Sequence, residues 1–319
     1  MRKNYLITGG AGFIGYHISK FLLDARHNVI CVDNLNNYYS EKLKKDRISE
    51  LSKYRNFKFF KLDISNKIIL YKKLSKIKID KIIHLAAQAG VRYAYKYPRK
   101  YFQSNLEGFF NIIEFAREKK IKELLCASTS SIYGEQERFP IKETFETSKP
   151  IQFYAATKKA NEVMGYSYYK MFKINFVFMR FFTVYGPWGR PDLSIFKFVK
   201  NIKNGKKIQI YNFGDHVRDF TYIDDVVSGI SKILKKRNKG VNIFNIGSTK
   251  KIKLMDVVKK IEFLLNKKAK IEYLSMQPGD IYKTHSDTSF LYRYCGYKSK
   301  TSINTGLKKF INWYNNYYK

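Results

Sequence analysis

A chain of 319 residues, 45% of them hydrophobic, is long enough for two domains around a sizeable core, and its three cysteines make a disulfide-stapled scaffold untenable. Cys31, Cys126 and Cys295 show no C-x-x-C spacing, which excludes the common zinc and dithiol redox patterns and suits a reducing cytoplasm. The formal charge of +35 would suit a nucleic-acid binder, but Lys is spread over nearly every segment and no nucleic-acid motif accompanies it, so it reads as a chain-wide compositional bias.

The N-terminus runs into NYLITGG without an apolar leader, and nowhere do about 18 apolar residues follow one another, so a soluble cytoplasmic protein without membrane contact is expected. β-branched runs follow at 4–8 (NYLIT), 28–33 (NVICVD), 57–63 (FKFFKLD), 81–86 (KIIHLA) and 123–128 (ELLCAS). Each precedes a segment of helical length, the alternation of a parallel sheet wound with helices on both faces. INFVFMRFF adds another buried strand at 174–182, after a helix beginning near Tyr154. Beyond Gly186 the order is less regular: Pro187 and Pro191 break the chain, and helices are expected at 195–203, 224–234 and 255–265. The expected fold is α/β, a Rossmann-type doubly wound sheet over 1–179 with a smaller α/β substrate-binding portion over 180–319. Later strands such as VNIFNIG are expected to return to the first sheet.

TGGAGFIG places Gly9, Gly12 and Gly15 after the first strand and at the opening of a helix. Glycine there permits a tight turn and lets backbone N–H groups and the helix N-terminus approach a pyrophosphate. Asp33 ends the second strand, 18 residues after Gly15. A carboxylate in that place binds the adenosine ribose hydroxyls and repels a 2′-phosphate, favouring NAD over NADP.

YAATKKA sets Tyr154 and Lys158 four residues apart, on one helix face. A free tyrosine, with a pKa near 10, is a poor base at neutral pH unless a cation stabilises the phenolate, as Lys158 and a bound nicotinamide ring would. Upstream, CASTSSIYG offers Thr129, Ser130 and Ser131 at the C-terminal end of the fifth strand, where open α/β sheets bind ligands. His84 falls within a buried-strand pattern and reads as a core residue, and no metal site is assigned.

The glycine turn, Asp33, HLAAQAGVRY, STSSIYG and Y-x-x-x-K occur together and in order, and on them the chain resembles an extended short-chain dehydrogenase/reductase. DNLNNYY, YAATKKANE, RFFTVYGPWGRPD, RDFTYIDD and MQPGD resemble the UDP-glucuronate 4-epimerase group within it. The resemblance implies that Gly9, Gly12, Phe13, Ile14 and Gly15 cradle the cofactor phosphates, that Asp33 and Asn34 hold the adenosine ribose, and that Asp63 and Ile64 meet the adenine. It implies that Leu85, Ala86, Ala87 and Asn105 line the cofactor's path, with Thr129, Tyr154 and Lys158 as the catalytic set. Thr stands at 129 where the family more commonly has Ser, which keeps the hydroxyl.

By the same analogy Tyr154 takes the proton of the sugar 4′-hydroxyl while hydride passes to NAD, and return of hydride to the opposite face inverts C4′. Related dehydratases carry an Asp-Glu pair beside the Thr129 position and decarboxylases keep a Glu. Ser130 and Ser131 stand there instead, leaving reversible oxidation and reduction. For a uronic acid the 4-keto intermediate is a β-keto acid, so an epimerase must hold the carboxylate still. Arg190 is the candidate clamp, with Thr183, Ser130 and Ser131 as hydroxyl donors; the alternative for Arg190 is pairing with a surface carboxylate. Arg218 matches a diphosphate contact, and Gln277 and Asp280 are further substrate candidates. A homodimer through the helix after Phe102 and the Tyr154 helix follows from the resemblance. The competing readings are a neutral UDP-hexose 4-epimerase, a non-catalytic NAD or sugar-nucleotide binder, and a nucleic-acid binder resting on charge alone.

Overall fold

The computed structural model describes residues 2–319, which form two compact units. The first takes the chain through Gly134, with Glu146–Arg180 and Ile230–Phe244; the second is Glu135–Phe145, Phe181–Gly229 and Asn245–Lys319.

In the first unit β1 (Asn4–Thr8), α1 (Phe13–Asp24), β2 (Asn28–Asp33), α2 (Glu41–Ser52), β3 (Phe57–Lys61), α3 (Lys67–Leu74) and β4 (Lys81–His84) alternate as the pattern of the sequence requires. Two short helices, α4 (Val91–Lys96) and α5 (Pro98–Tyr101), and a widened turn at Phe102–Glu107 lead into α6 (Gly108–Glu118), followed by β5 (Glu123–Thr129), α7 (Phe153–Phe172) and β6 (Asn175–Phe181). The elements of the second half are β7 (Thr183–Tyr185), α8 (Ser194–Lys203), β8 (Lys207–Tyr211), β9 (Val217–Arg218), β10 (Phe220–Tyr222), α9 (Ile223–Leu234) and β11 (Val241–Ile246). β12 (Ile252–Lys253), α10 (Leu254–Leu265), β13 (Lys270–Leu274), α11 (Ser289–Cys295) and α12 (Ile303–Tyr317) complete the chain.

The main sheet has seven strands in the order β11-β6-β5-β4-β1-β2-β3. That is the doubly wound Rossmann arrangement with one strand added at the β6 edge. β1 pairs in parallel with β2 and β4, and β4 with β5. Because strands covered on both faces must be apolar throughout, the core gathers Leu6, Ile30, Val32 and Ile82 from the sheet with Phe109, Ile112 and Phe115 from α6. Thr8, Asp33, His84 and Thr129 all end their strands, so the polar chemistry collects at one edge of an otherwise apolar layer.

The division is more interleaved than a cut after 179. Residues 230–244 return to the first unit because Phe176 donates to the Gly240 carbonyl at 2.9 Å and Gly240 to Asn175 Oδ1 at 2.7 Å, adding β11 to the sheet edge. Residues 135–145 leave it: Ile141 donates to the His285 carbonyl at 2.7 Å, and Asn245 donates to Glu143 Oε1 at 2.8 Å and to the Ile141 carbonyl at 2.9 Å. The second unit holds three two-stranded pairings, β10 with β7, β12 with β9 and β13 with β8, and an aromatic cluster of Trp188, Phe196, Phe310, Trp313 and Tyr317.

Candidate active site

The turn after β1 is built for close approach. Gly9 has φ +72°, and a Cβ there would lie 2.7 Å from the Ala86 amide nitrogen; a Cβ on Gly15 would lie 2.1 Å from the Gly9 carbonyl oxygen. Gly12 caps α1 without any side-chain bond, and the first turn has no acidic residue. The helix end therefore offers its N–H groups and positive dipole to an anion, and the residues fit a dinucleotide pyrophosphate. Phe13 is buried under this turn and Ile14 is half-buried.

Asp33 accepts from Ala11 N at 3.1 Å and from Leu35 N at 2.9 Å. Burial raises its pKa, while those two N–H groups and the nearby Lys44 and Arg47 pull it down. Each oxygen keeps a lone pair for a ribose hydroxyl. Asn34 donates to Asp63 Oδ2 at 2.7 Å, and Ser65 donates to Asp63 Oδ1 from both its amide and its hydroxyl. Burial opposes the charge on Asp63, but these bonds hold its pKa below the ordinary value. Ile64 has its side chain within the core, 6% exposed, and its carbonyl accepts from Asn111 at 2.9 Å.

Leu85, Ala86 and Ala87 follow β4 as half-buried residues, with Leu85 N donating to the Thr8 carbonyl and Ala86 N to Thr8 Oγ1. Asn105, expected to line the cofactor's path, is bonded to the loop after β4 and to α7. Fully buried, it accepts from Gln88 N at 2.8 Å and donates to the Gln88 carbonyl and Thr157 Oγ1, while its own carbonyl accepts from Asn161. It ties the loop after β4 to α7, and so acts on the site through backbone position.

At the end of β5, Thr129 Oγ1 accepts from Ser131 N at 3.1 Å and starts a single helical turn over Ser130–Tyr133. Its hydroxyl proton is left for another acceptor. Ser130 and Ser131 are half-buried on that turn. Tyr154 lies half-buried in the first turn of α7, its ring edge-on to Tyr101 at 6.2 Å. Lys158, one turn later, is 1% exposed, and its ammonium makes no hydrogen bond among the described residues. Burial lowers its pKa to about 8, against the pull of Cys126 and Glu162. His84 is a core residue as read from the sequence, its Nδ1 2.8 Å from Thr8 Oγ1 and its pKa pushed down by burial and by Lys158.

The sequence reading missed the pair that braces this group. Glu162 accepts from Arg180 Nε at 3.0 Å and Nη2 at 2.8 Å, and from Ser128 Oγ at 2.7 Å, while Arg180 Nη1 donates to Tyr133 Oη at 2.9 Å. Both side chains are 2% exposed. The network joins β5, the Ser130–Tyr133 turn, α7 and β6. Two signals were available: a charged residue inside the apolar run VFMRFF needs a buried partner, and Glu162 shares the Lys158 face of α7 at i+4.

The remaining candidates lie in the second unit. Thr183 opens β7, half-buried. Arg190 does not stand as an uncommitted clamp: Nε donates to Asp192 Oδ1 at 3.0 Å and Nη2 to Oδ2 at 2.6 Å, so the alternative of carboxylate pairing describes this geometry. Its charge is matched bidentately within its own loop. Arg218 Nη1 donates to the carbonyls of Tyr282, at 2.8 Å, and Val217; burial lowers its pKa to about 10, opposed by Asp280. Asp280 N donates to the Gln277 carbonyl at 3.1 Å, which brings these two into one turn. Asp219, next to Arg218, is fully buried and accepts from Ser248, Thr249, Ser286 and Thr221, anchoring the segment that carries the arginine.

Residues 5–247 match the NAD dependent epimerase/dehydratase family. An uncharacterized protein of Methanocaldococcus jannaschii is 48% identical over 314 residues, 98% of this chain and 96% of that protein. The UDP-glucuronate 4-epimerase of Thermodesulfobacterium geofontis is 42% identical over 310 residues, 97% of this chain and 95% of that protein. The solved structure of UDP-glucuronic acid 4-epimerase from Bacillus cereus, in complex with UDP-glucuronic acid and NAD, matches with a TM-score of 0.92 at 31% identity, covering 99% of this chain and 100% of that one. Identity sustained over nearly the whole length, in proteins of nearly equal length, means that this chain belongs to the NAD dependent epimerase/dehydratase family.

Proposed function

We propose that the chain interconverts UDP-glucuronate and UDP-galacturonate by oxidation and reduction at C4′ of the sugar, with NAD as a retained cofactor. It is an NAD-dependent nucleotide-sugar epimerase, as its family and its relatives named UDP-glucuronate 4-epimerase have it. One observation carries the chemistry: Lys158, buried and with no hydrogen bond among the described residues, lies one helical turn after Tyr154.

Tyr154 takes the proton from the 4′-hydroxyl, and Lys158 stabilises the phenolate by its charge. Thr129 donates its remaining hydroxyl proton to the sugar oxygen. NAD, held by the Gly9–Gly15 turn, Asp33 and Asn34, supplies a hydride acceptor and then a hydride donor. Without a carboxylate pair at 130 and 131, elimination of water has no acid and base there, so the 4-keto sugar is reduced again. Arg218 holds the diphosphate, with Gln277 and Asp280 beside it, and Thr183, Ser130 and Ser131 supply hydroxyls to the uronate. Arg190 takes part only if Asp192 gives it up.

The same reading makes the protein a cytoplasmic homodimer that feeds polysaccharide synthesis. Its three cysteines are free thiols, and no helix among the described residues is long and apolar enough to cross a membrane. Phe102, Phe110, Val163 and Tyr166 lie exposed on the Phe102–Glu107 turn, α6 and α7, an apolar face of the kind that a second copy covers.

The test is incubation with UDP-glucuronate without added reductant, followed by NMR of the sugar nucleotides. UDP-galacturonate without loss of carbon dioxide is the expected product. A pentose product would make the chain a decarboxylase, and turnover of UDP-glucose alone would make it a neutral-sugar epimerase. Turnover by Tyr154→Phe equal to the parent's would remove Tyr154 from the mechanism.

A further inference from the structure

The second unit buries a histidine to which the chemistry above gives no role. His216 is 4% exposed, between Gly214 and β9. Its backbone is committed: the amide donates to the Gly214 carbonyl and the carbonyl accepts from Leu254 N, both at 2.9 Å. Nε2 is buried with no hydrogen-bond partner. In a neutral ring that nitrogen can present a lone pair. Burial and Arg218 favour this neutral form, against the pull of Asp280, the Tyr211 carbonyl and Asp215.

A second orphan acceptor belongs to the same part of the unit. Gln277 Oε1 is buried without a partner, and the segment that follows it runs beside β9: Val217 N donates to the Tyr282 carbonyl at 3.4 Å and Thr284 N to the Val217 carbonyl at 3.0 Å. Arg218, in β9, is tied to the same Tyr282 carbonyl. Two buried acceptors and a cation therefore belong to two segments, one of which runs on beside the other. Buried acceptors are normally filled, and these two call for a ligand that brings O–H or N–H donors together with an anionic group.

We infer that His216 is a nucleotide-binding residue, its Nε2 accepting a hydrogen bond from the nucleoside half of a nucleoside diphosphate, a ribose hydroxyl or a base N–H, while Arg218 holds the diphosphate. The inference rests on the nucleotide-sugar function proposed above and adds to it a residue that discriminates the nucleoside from a bare diphosphate.

Calorimetric titration of the NAD-saturated protein with UDP and with inorganic pyrophosphate tests it. His216→Leu is expected to weaken UDP roughly 10-fold, the value of one buried hydrogen bond, and to change pyrophosphate binding by less than about two-fold. KM for the sugar nucleotide rises in parallel with kcat nearly unchanged, and His216→Gln, which keeps an acceptor, restores most of the loss. His216→Met, close in size, serves as a second apolar variant should the leucine variant not fold. A folded apolar variant that binds UDP like the parent overturns the inference, as does equal loss of UDP and pyrophosphate. A parent protein that binds no UDP and turns over no UDP-sugar removes the underlying function as well, which separates the two failures.

Discussion

Glu162→Gln probes the brace under the catalytic group. The carboxylate accepts two N–H groups of Arg180 and the Ser128 hydroxyl, with Lys159 Nζ at 3.9 Å as a weaker neighbour. In glutamine one oxygen becomes an NH2, so an Arg180 N–H faces a donor and its charge stays buried at 2% exposure. Removing one partner of a buried pair costs roughly 3–5 kcal/mol, which for a chain of this size lowers the melting temperature on the order of 10 °C. Pairing it with Arg180→Met removes the orphaned charge and should recover most of that loss. The catalytic effect has a definite sign. Glu162 raises the Lys158 pKa, which stands at about 8, so its loss lets Lys158 give up its proton at lower pH. The alkaline limb of the kcat profile should move down by on the order of one pH unit. Differential scanning fluorimetry and kcat between pH 6 and pH 9 are the assays. A melting temperature within about 2 °C of the parent's, together with an unmoved alkaline limb, would refute both the energetic and the electrostatic parts.

Lys158→Met should abolish turnover yet stabilise the cofactor-free protein near neutral pH. The folded pKa, about 8, lies below the ordinary 10.5. Below pH 8 the fold bears the full cost of a buried charge, about 3 kcal/mol; between the two values only the unfolded chain still holds the proton, so wild-type stability rises with pH. Urea titrations of both proteins at pH 7 and pH 10 should show the difference shrinking, and a pH-independent difference would contradict it. Gly15→Ala puts a methyl group 2.1 Å from the Gly9 carbonyl oxygen, so NAD affinity, followed by fluorescence quenching, should drop by on the order of 100-fold with the far-ultraviolet spectrum preserved. Because Arg190 is matched by Asp192, Arg190→Ala should alter KM for UDP-glucuronate and UDP-glucose by similar factors, within about three-fold of each other; a selective loss for the uronate would restore the clamp.

The cofactor half of the site was legible because its geometry is local. The glycine turn, Asp33 at a strand end and the four-residue step from Tyr154 to Lys158 are each set within one strand, turn or helix, where sequence spacing is spatial spacing. Arg190 stayed open between clamp and surface pair because a cation two residues from an aspartate reads the same whether it reaches a ligand or its neighbour. Where the Ile64 and Asn105 side chains go was not legible, because packing under α6 and bonds to Gln88 and Thr157 decide it.

The alternation of strand and helix, with its apolar strands, dictated the doubly wound sheet and which strand ends carry polar groups. Left open were the pairings that span long stretches of chain: Arg180 with Glu162, Asn245 with Ile141, Asp219 with Ser286, and β11 against the sheet edge. The sequence holds several acids for every such partner and several strands for every free edge. Which are joined depends on burial, since a charge or a backbone N–H taken out of water must find its acceptor in whatever the assembled layers bring near it.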